Sequence, residues 1–132
     1  MGQRILIETS IIITYIRTRH KGNTTLFEKA IATYHRCFLS ALNVYEVEFG
    51  AARAGRTSDL YLILPFVEVL GVDQQVAEQA AQLHSLLISQ NRDIGIKDVF
   101  IAATCLVHAL PILTYNVSHF SRVPGLQIIP PF

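Results

Sequence analysis

The stretch "RILIETSIII", residues 4 to 13, constrains the fold more than any other part of the chain. Ile5, Leu6 and Ile7 form a continuous apolar run instead of the alternation of a strand with one wet face, so they predict a central parallel strand covered on both sides. Directly behind the run stands Glu8. Thr9 or Ser10 then caps a helix that starts near Ile11 and ends near Arg17. A carboxylate is thereby placed at a strand-to-helix junction.

The same grammar continues without any internal repeat. It predicts a helix from Thr25 to Tyr34, a strand from Cys37 to Leu39, a helix from Leu42 to Ala54, a shorter helix from about Ser58 to Leu64 and a strand from Val67 to Val72. Asp73 caps a helix to about Gln90; after the turn at Gly95 come a helix from Lys97 to His108, a strand at Ile112 and Leu113, a short helix from Val117 to Phe120 and a last strand from Gln127 to Ile129. Alternating strands and helices predict an α/β three-layer sandwich with a mainly parallel central sheet flanked by helices. At 132 residues, with no linker or low-complexity tract, residues 1–132 form one domain.

Composition excludes several classes. Just over half the residues are apolar, 16% are charged and the net charge is +1, so the chain is neither disordered nor broadly basic. The high apolar share leaves surface for a subunit or partner interface, and an oligomer is expected. Cys37 and Cys105 sit in apolar settings that suit reduced, buried thiols, consistent with a cytoplasmic protein. No secretory leader pattern opens the sequence, and the longest apolar region, "LYLILPFVEVLGV", is too short for a bilayer and interrupted by Pro65 and Glu68. No membrane association is expected.

Ligands of open α/β sheets bind at the carboxyl ends of the strands. Glu8 occupies such an end, Glu46 lies on the helix after the second strand, and Asp98 opens a helix that then turns almost wholly apolar. With right-handed crossovers all three face one edge. Clustered carboxylates repel one another, and a cation relieves that repulsion. Oxygen-only donors suit Mg²⁺ or Mn²⁺ rather than zinc, and a metal so held activates water and stabilises charge on a phosphate. Each acid also has a structural explanation: Glu8 pairs with an arginine, Glu46 is an exposed helix residue beside Glu48, and Asp98 complements its helix dipole. Glu8 resists that explanation most, because an acid among buried residues needs a partner.

The order "ILIETSIII", then "SALNVYEVEFGAARAG", then "IGIKDVFIAATCLVHALPILTYNVSHFSRVPGLQII" resembles the PIN-domain ribonucleases, most closely the VapC toxins of bacterial and archaeal toxin–antitoxin pairs. The family's first acid is normally Asp followed by Thr or Ser; here it is Glu8, followed by Thr9 and Ser10. The second, four residues before a glycine, is Glu46 before Gly50, and the third, ahead of "IAAT", is Asp98. A fourth polar position follows in "T-x-N", here Thr114, Tyr115 and Asn116, while His119 stands where many relatives carry an acid.

The resemblance implies Mg²⁺-dependent endoribonuclease cleavage of RNA, with Mn²⁺ as an alternative ion. Glu8, Glu46 and Asp98 are then the metal ligands, directly or through water, with Asn116 positioning water or phosphate. Ser10 adds a hydrogen bond, and His119, the loop residues Arg17, Arg19 and Lys21, and Arg53 with Arg56 become candidate substrate contacts. It further implies a VapB-like antitoxin partner lying in a hydrophobic groove, one of whose arginines replaces the metal's charge among the carboxylates, and a homodimer. The competing reading is a catalytically weakened PIN-like module that binds RNA or a protein partner; the altered first and fourth positions favour it, and Glu46 and Asp98 oppose it. "GAARAGRT" imitates a phosphate-binding loop but closes a helix instead of opening one. His35 with Cys37, and Cys105 with His108, match no strong zinc spacing.

Overall fold

In the computed structural model, which describes residues 3–132, β1 (Arg4–Ile7) is the middle strand of a five-stranded sheet. β2 (Arg36–Ser40) and β3 (Glu68–Leu70) lie on one side of it, β4 (Ile112–Leu113) and β5 (Ile128–Ile129) on the other, in the order β3-β2-β1-β4-β5. All four pairings are parallel, and Leu6 stands opposite both Phe38 and Ile112. The sheet is thus wholly rather than mainly parallel.

The uninterrupted apolar run in β1 is explained by what covers it. Ile5 and Ile7 pack with Ile11, Ile12 and Ile16 of α1 (Thr9–Thr18) and with Phe27 and Ala30 of α2 (Leu26–Thr33). On the opposite face Leu6 packs in the cluster formed by Val76, Ala80, Leu83 and Leu87 of α4 (Gln74–Ser89) and Val99, Ile101 and Ala102 of α5 (Ile96–His108). All three strand residues are fully buried, each a contribution of about 1.5–3 kcal/mol. Between these layers, at the carboxyl edge, runs α3 (Ala41–Arg53); α6 (Val117–Phe120) follows β4.

Two expectations are corrected. The cap of α1 is neither Thr9 nor Ser10: the helix begins at Thr9, and Glu8 itself is the N-cap, its side chain accepting from the backbone N–H of Ser10. An acid can do this because its oxygens serve the orphan donors of the first turn. The helix expected from Ser58 to Leu64 is instead two 3₁₀ turns, Leu60–Leu62 and Leu64–Phe66. Ser58 accepts from the Leu60 N–H and donates to Glu48, Arg56 grips Asp59, and Pro65 has no N–H to continue an α-helical ladder. Elsewhere β3 is shorter than expected because it pairs with β2 through only three residues. No helix among the described residues is long and apolar enough to cross a membrane.

The chain winds outward from β1 to β3 and then returns to the other side for β4 and β5. β1 and β4 therefore border the reversal, where parallel sheets open a crevice at their carboxyl ends. Glu8 follows β1 there and Thr114 follows β4.

Candidate metal centre at the reversal of the sheet

Glu8 is only 5% exposed, yet no arginine pairs with it among the described residues; hydroxyl groups hold it instead. Its Oε1 accepts from the Ser10 N–H (3.2 Å), the Ser10 hydroxyl (2.7 Å) and the Thr114 hydroxyl (2.6 Å). The last bond joins residues 106 positions apart, and the Glu8 N–H donates to the Leu113 carbonyl at 3.0 Å. Oε2 takes no hydrogen bond from a described residue and is not among the buried unpaired atoms, so it keeps some access to solvent.

Glu46 comes in from α3 and is half-buried rather than exposed on the helix surface. Asn43, one turn earlier and fully buried, fixes its surroundings. The Asn43 Oδ1 accepts from the Ser40 N–H at 2.9 Å, which forces its amide nitrogen toward Thr9, 2.8 Å away. Having accepted there, the Thr9 hydroxyl has its single hydrogen left for Glu46 Oε1, at 2.5 Å. The direction of every bond in this chain follows from one backbone N–H. Lys97 Nζ approaches the other oxygen at 3.8 Å. Burial raises the Glu46 pKa above the usual carboxylate value; the Thr9 bond opposes that rise, the nearby charges of Glu8 and Asp98 add to it, and Lys97 counters it.

Gly95, at φ 91°, turns the chain into α5 in a conformation that a side chain would strain, and Asp98 then falls in the first helical turn. Its Oδ2 lies 3.0 Å from His119 Nδ1 and 3.4 Å from Asn116 Nδ2. A carboxylate only accepts, so both nitrogens donate. His119 is thereby placed as a partner of Asp98 through Nδ1, with its side chain partly exposed. The Asn116 backbone N–H donates to Thr114 at 2.8 Å, which ties this group to Glu8.

The three acids gather around one crevice without closing on one point. Glu46 senses both of the others, yet among the described residues no group of three His, Cys, Asp or Glu side chains is placed to hold an ion together. The donor chemistry still fits a hard divalent cation: the acids offer only oxygen, and an oxygen of Glu8 takes no hydrogen bond from a described residue, while Lys97 at 3.8 Å from Glu46 is the lysine that offsets their charge. Hard divalent cations can keep several waters and take only one or two carboxylates directly, so three acids need not converge on one point.

The basic candidates do not form one patch. Arg17 and Arg19, at the far end of α1, line a groove of about 420 Å³ with Arg56; its floor includes Ile13, Ile16 and Val47. Arg56 is committed to Asp59 through bonds of 3.2 and 2.7 Å, and Arg19 donates to the Ile16 carbonyl. Arg53 is exposed in the last turn of α3. Lys21 points elsewhere, into a separate cleft. Sequence reasoning passed over Thr9, Asn43, Thr114 and Lys97 as site residues. For Asn43 a signal existed: a polar side chain three residues after Ser40, inside an otherwise apolar helix start, is a reciprocal cap.

Residues 5–126 match the family described as PIN domain. Ribonuclease VapC1 of Rickettsia felis is 29% identical, over 95% of this chain and 94% of the relative. The tRNA(fMet)-specific endonuclease VapC of Salmonella typhimurium is 27% identical, over 86% of this chain and 82% of its own. Among solved structures, a chain of VapBC2 from Rickettsia felis, crystallised with a DNA fragment from the promoter of that pair, superposes with a TM-score of 0.81 at 18% identity, covering 97% of this chain and 98% of its own.

Proposed function

This chain belongs to the PIN-domain family, and on that premise we propose that it is a Mg²⁺-dependent endoribonuclease acting in the cytoplasm as the toxin of a toxin–antitoxin pair. The single observation that carries the reading is that Glu46 lies near enough to feel the charges of both Glu8 and Asp98, three acids brought from a strand end and two helices to the carboxyl edge of the sheet. The names of its relatives as VapC ribonucleases support the same assignment.

Glu8 Oε2 and Asp98 are the residues to hold the cation, with Glu46 completing the anionic wall through water. When bound, such a cation supplies positive charge against the phosphate and acidity to an attacking water. The protein's own contribution is placement. Ser10 and Thr114 leave Glu8 one free oxygen, Thr9 and Asn43 set the plane of the Glu46 carboxylate, and Asn116 stands beside Asp98 where an amide can orient water or a phosphate oxygen.

The partner follows from surface chemistry. The groove between α1 and α3 has an apolar floor and an arginine rim, which supports an antitoxin segment lying in it with an arginine directed at the carboxylates. The stacked, half-exposed rings of Tyr45 and Phe49, with centroids 5.8 Å apart, support a homodimer.

The decisive experiment is cleavage of RNA by the purified protein with Mg²⁺, with Mn²⁺ and with chelator. Cleavage in either metal that chelator abolishes is expected. Cleavage that survives chelator removes the metal from the mechanism, and no cleavage of any RNA, with the fold intact, favours the weakened binding module instead.

A further inference from the structure

One helical turn along α1 from Ser10, about 5.4 Å, a second cleft of about 350 Å³ opens beside the acidic crevice, on the scale of ligand pockets, about 300–1,000 Å³. Thr14 and Thr18 of α1, Lys21, Lys29 of α2, and Tyr115 line it together with the apolar Pro131 and Phe132, and no Asp or Glu side chain does. Neither lysine forms an ion pair with a described residue. The acid nearest in sequence, Glu28, has Oε1 committed to the N–H and hydroxyl of Thr25. Two lysines without an ion pair among the described residues therefore line one cavity.

Tyr115 links the cleft to the acids. Its backbone N–H donates to the Ser10 hydroxyl at 3.0 Å, and it stands between Thr114 and Asn116, yet the residue is 47% exposed. An aromatic ring anchored by its own backbone and left half in water is a stacking platform, because every base has a π-face. The threonines add a further feature. Thr14 donates to the Ser10 carbonyl at 2.9 Å and Thr18 to the Thr14 carbonyl at 2.7 Å, so each hydroxyl has only acceptor lone pairs left. A ribose 2′-OH is a donor that suits them.

We propose that this cleft is a subsite for one nucleotide of single-stranded RNA adjoining the bond to be cut, with its base on Tyr115, its phosphates on Lys21 and Lys29, and its 2′-OH directed to Thr14 or Thr18. The proposal rests on the RNA-cleaving reading above. It makes Tyr115 and Lys29 contributors to affinity and substrate choice, and separates Lys21 from the arginines of the α1–α3 groove.

The test uses the full chain in two forms, wild type for cleavage and Asp98→Asn for binding without turnover. The probes are fluorescein-labelled homopolymeric RNA strands and DNA strands of the same sequences, followed by anisotropy over a range of salt. Tyr115→Ala is expected to weaken RNA binding about 5- to 150-fold, with Tyr115→Phe restoring most of it. Replacing each lysine by Ala is expected to flatten the slope of log K against log salt by about 0.7, and RNA is expected to bind more tightly than DNA. If wild type cleaves RNA while Tyr115→Ala and the lysine variants leave affinity and salt slope unchanged, the subsite is overturned and the ribonuclease reading stands. If wild type neither binds nor cleaves any strand, both fall. Equal loss in Tyr115→Ala and Tyr115→Phe overturns stacking, and equal affinity for DNA overturns the role of the threonine hydroxyls.

Discussion

Glu8 and Asp98 border the same crevice but are held in opposite ways. Glu8 ends a central strand, is 5% exposed and spends one oxygen on three donors while capping α1. Asp98 sits in the first turn of α5, half-buried, and is met by two side chains of the β4–α6 region, His119 and Asn116. One acid is part of the framework that makes the crevice; the other is presented to it. The difference separates what a substitution does to the fold from what it does to the chemistry.

The largest effect is expected of Glu8→Ala. It removes a proposed ligand, a helix cap and the acceptor of the buried Thr114 hydroxyl and the half-buried Ser10 hydroxyl, so RNA cleavage is expected to fall at least about 100-fold and stability by about 1–3 kcal/mol. A cleavage assay beside urea unfolding checks both halves. Asp98→Asn is expected to match that catalytic loss with a stability change within about 1 kcal/mol, since it keeps the shape and an oxygen to accept from His119 and Asn116 and loses only the charge that faces them and the helix N-terminus. If it unfolds the protein as Glu8→Ala does, the contrast between the two acids is wrong.

Thr9→Val removes the donor to Glu46 without touching Glu8 or Asp98. A Mn²⁺ titration followed by calorimetry is expected to show affinity about 10- to 100-fold lower, the usual result of removing a hydrogen bond behind a ligand. Glu46→Gln tests the repulsion directly. Because burial and the neighbouring acids raise the folded-state pKa of Glu46, the folded protein binds more protons than the unfolded chain just above the ordinary carboxylate pKa, and stability declines as pH rises through that window. In chelator, Glu46→Gln is therefore expected to raise the melting temperature at about pH 7 and leave it unchanged at about pH 4, below both pKa values.

The smallest effect belongs to Glu8→Asp. Aspartate is an equally good N-cap, and it restores the residue usual in the family, so cleavage is expected to stay level or rise. Loss of cleavage with an intact fold removes Glu8 from the metal centre.

Much of the framework was legible because it follows from local rules. The continuous apolar run of Ile5–Ile7 announced a strand covered on both faces, Asp73 announced α4, and the boundaries of β4 and α6 follow from the residues themselves. The cap of α1 was misplaced by one or two positions because glutamate is an uncommon N-cap, and its use here depends on Ser10 turning back onto it. The helix expected over Ser58–Leu64 failed because Glu48 and Arg56, brought back by the end of α3, capture Ser58 and Asp59 before a regular ladder can form.

The candidate site divides along the same line. Its three acids were found in sequence because each occupies a recognisable position at a strand end or in a helix. Their partners were not, since the bonds from Thr114 to Glu8, Asn43 to Thr9 and His119 to Asp98 join elements that meet only in the folded sheet. Likewise "RTRHKGN" reads as one basic cluster, and folding divides it between two cavities, Arg17, Arg19 and His20 lining one and Lys21 and Asn23 the other. Sequence by itself determined which segments must be buried and which charges stand at their ends, because burial and capping depend on a residue and its near neighbours. Tertiary structure alone decided which oxygen of each acid is already spent and which remains open, because a hydrogen bond is set by distance and direction across elements that no local pattern encodes.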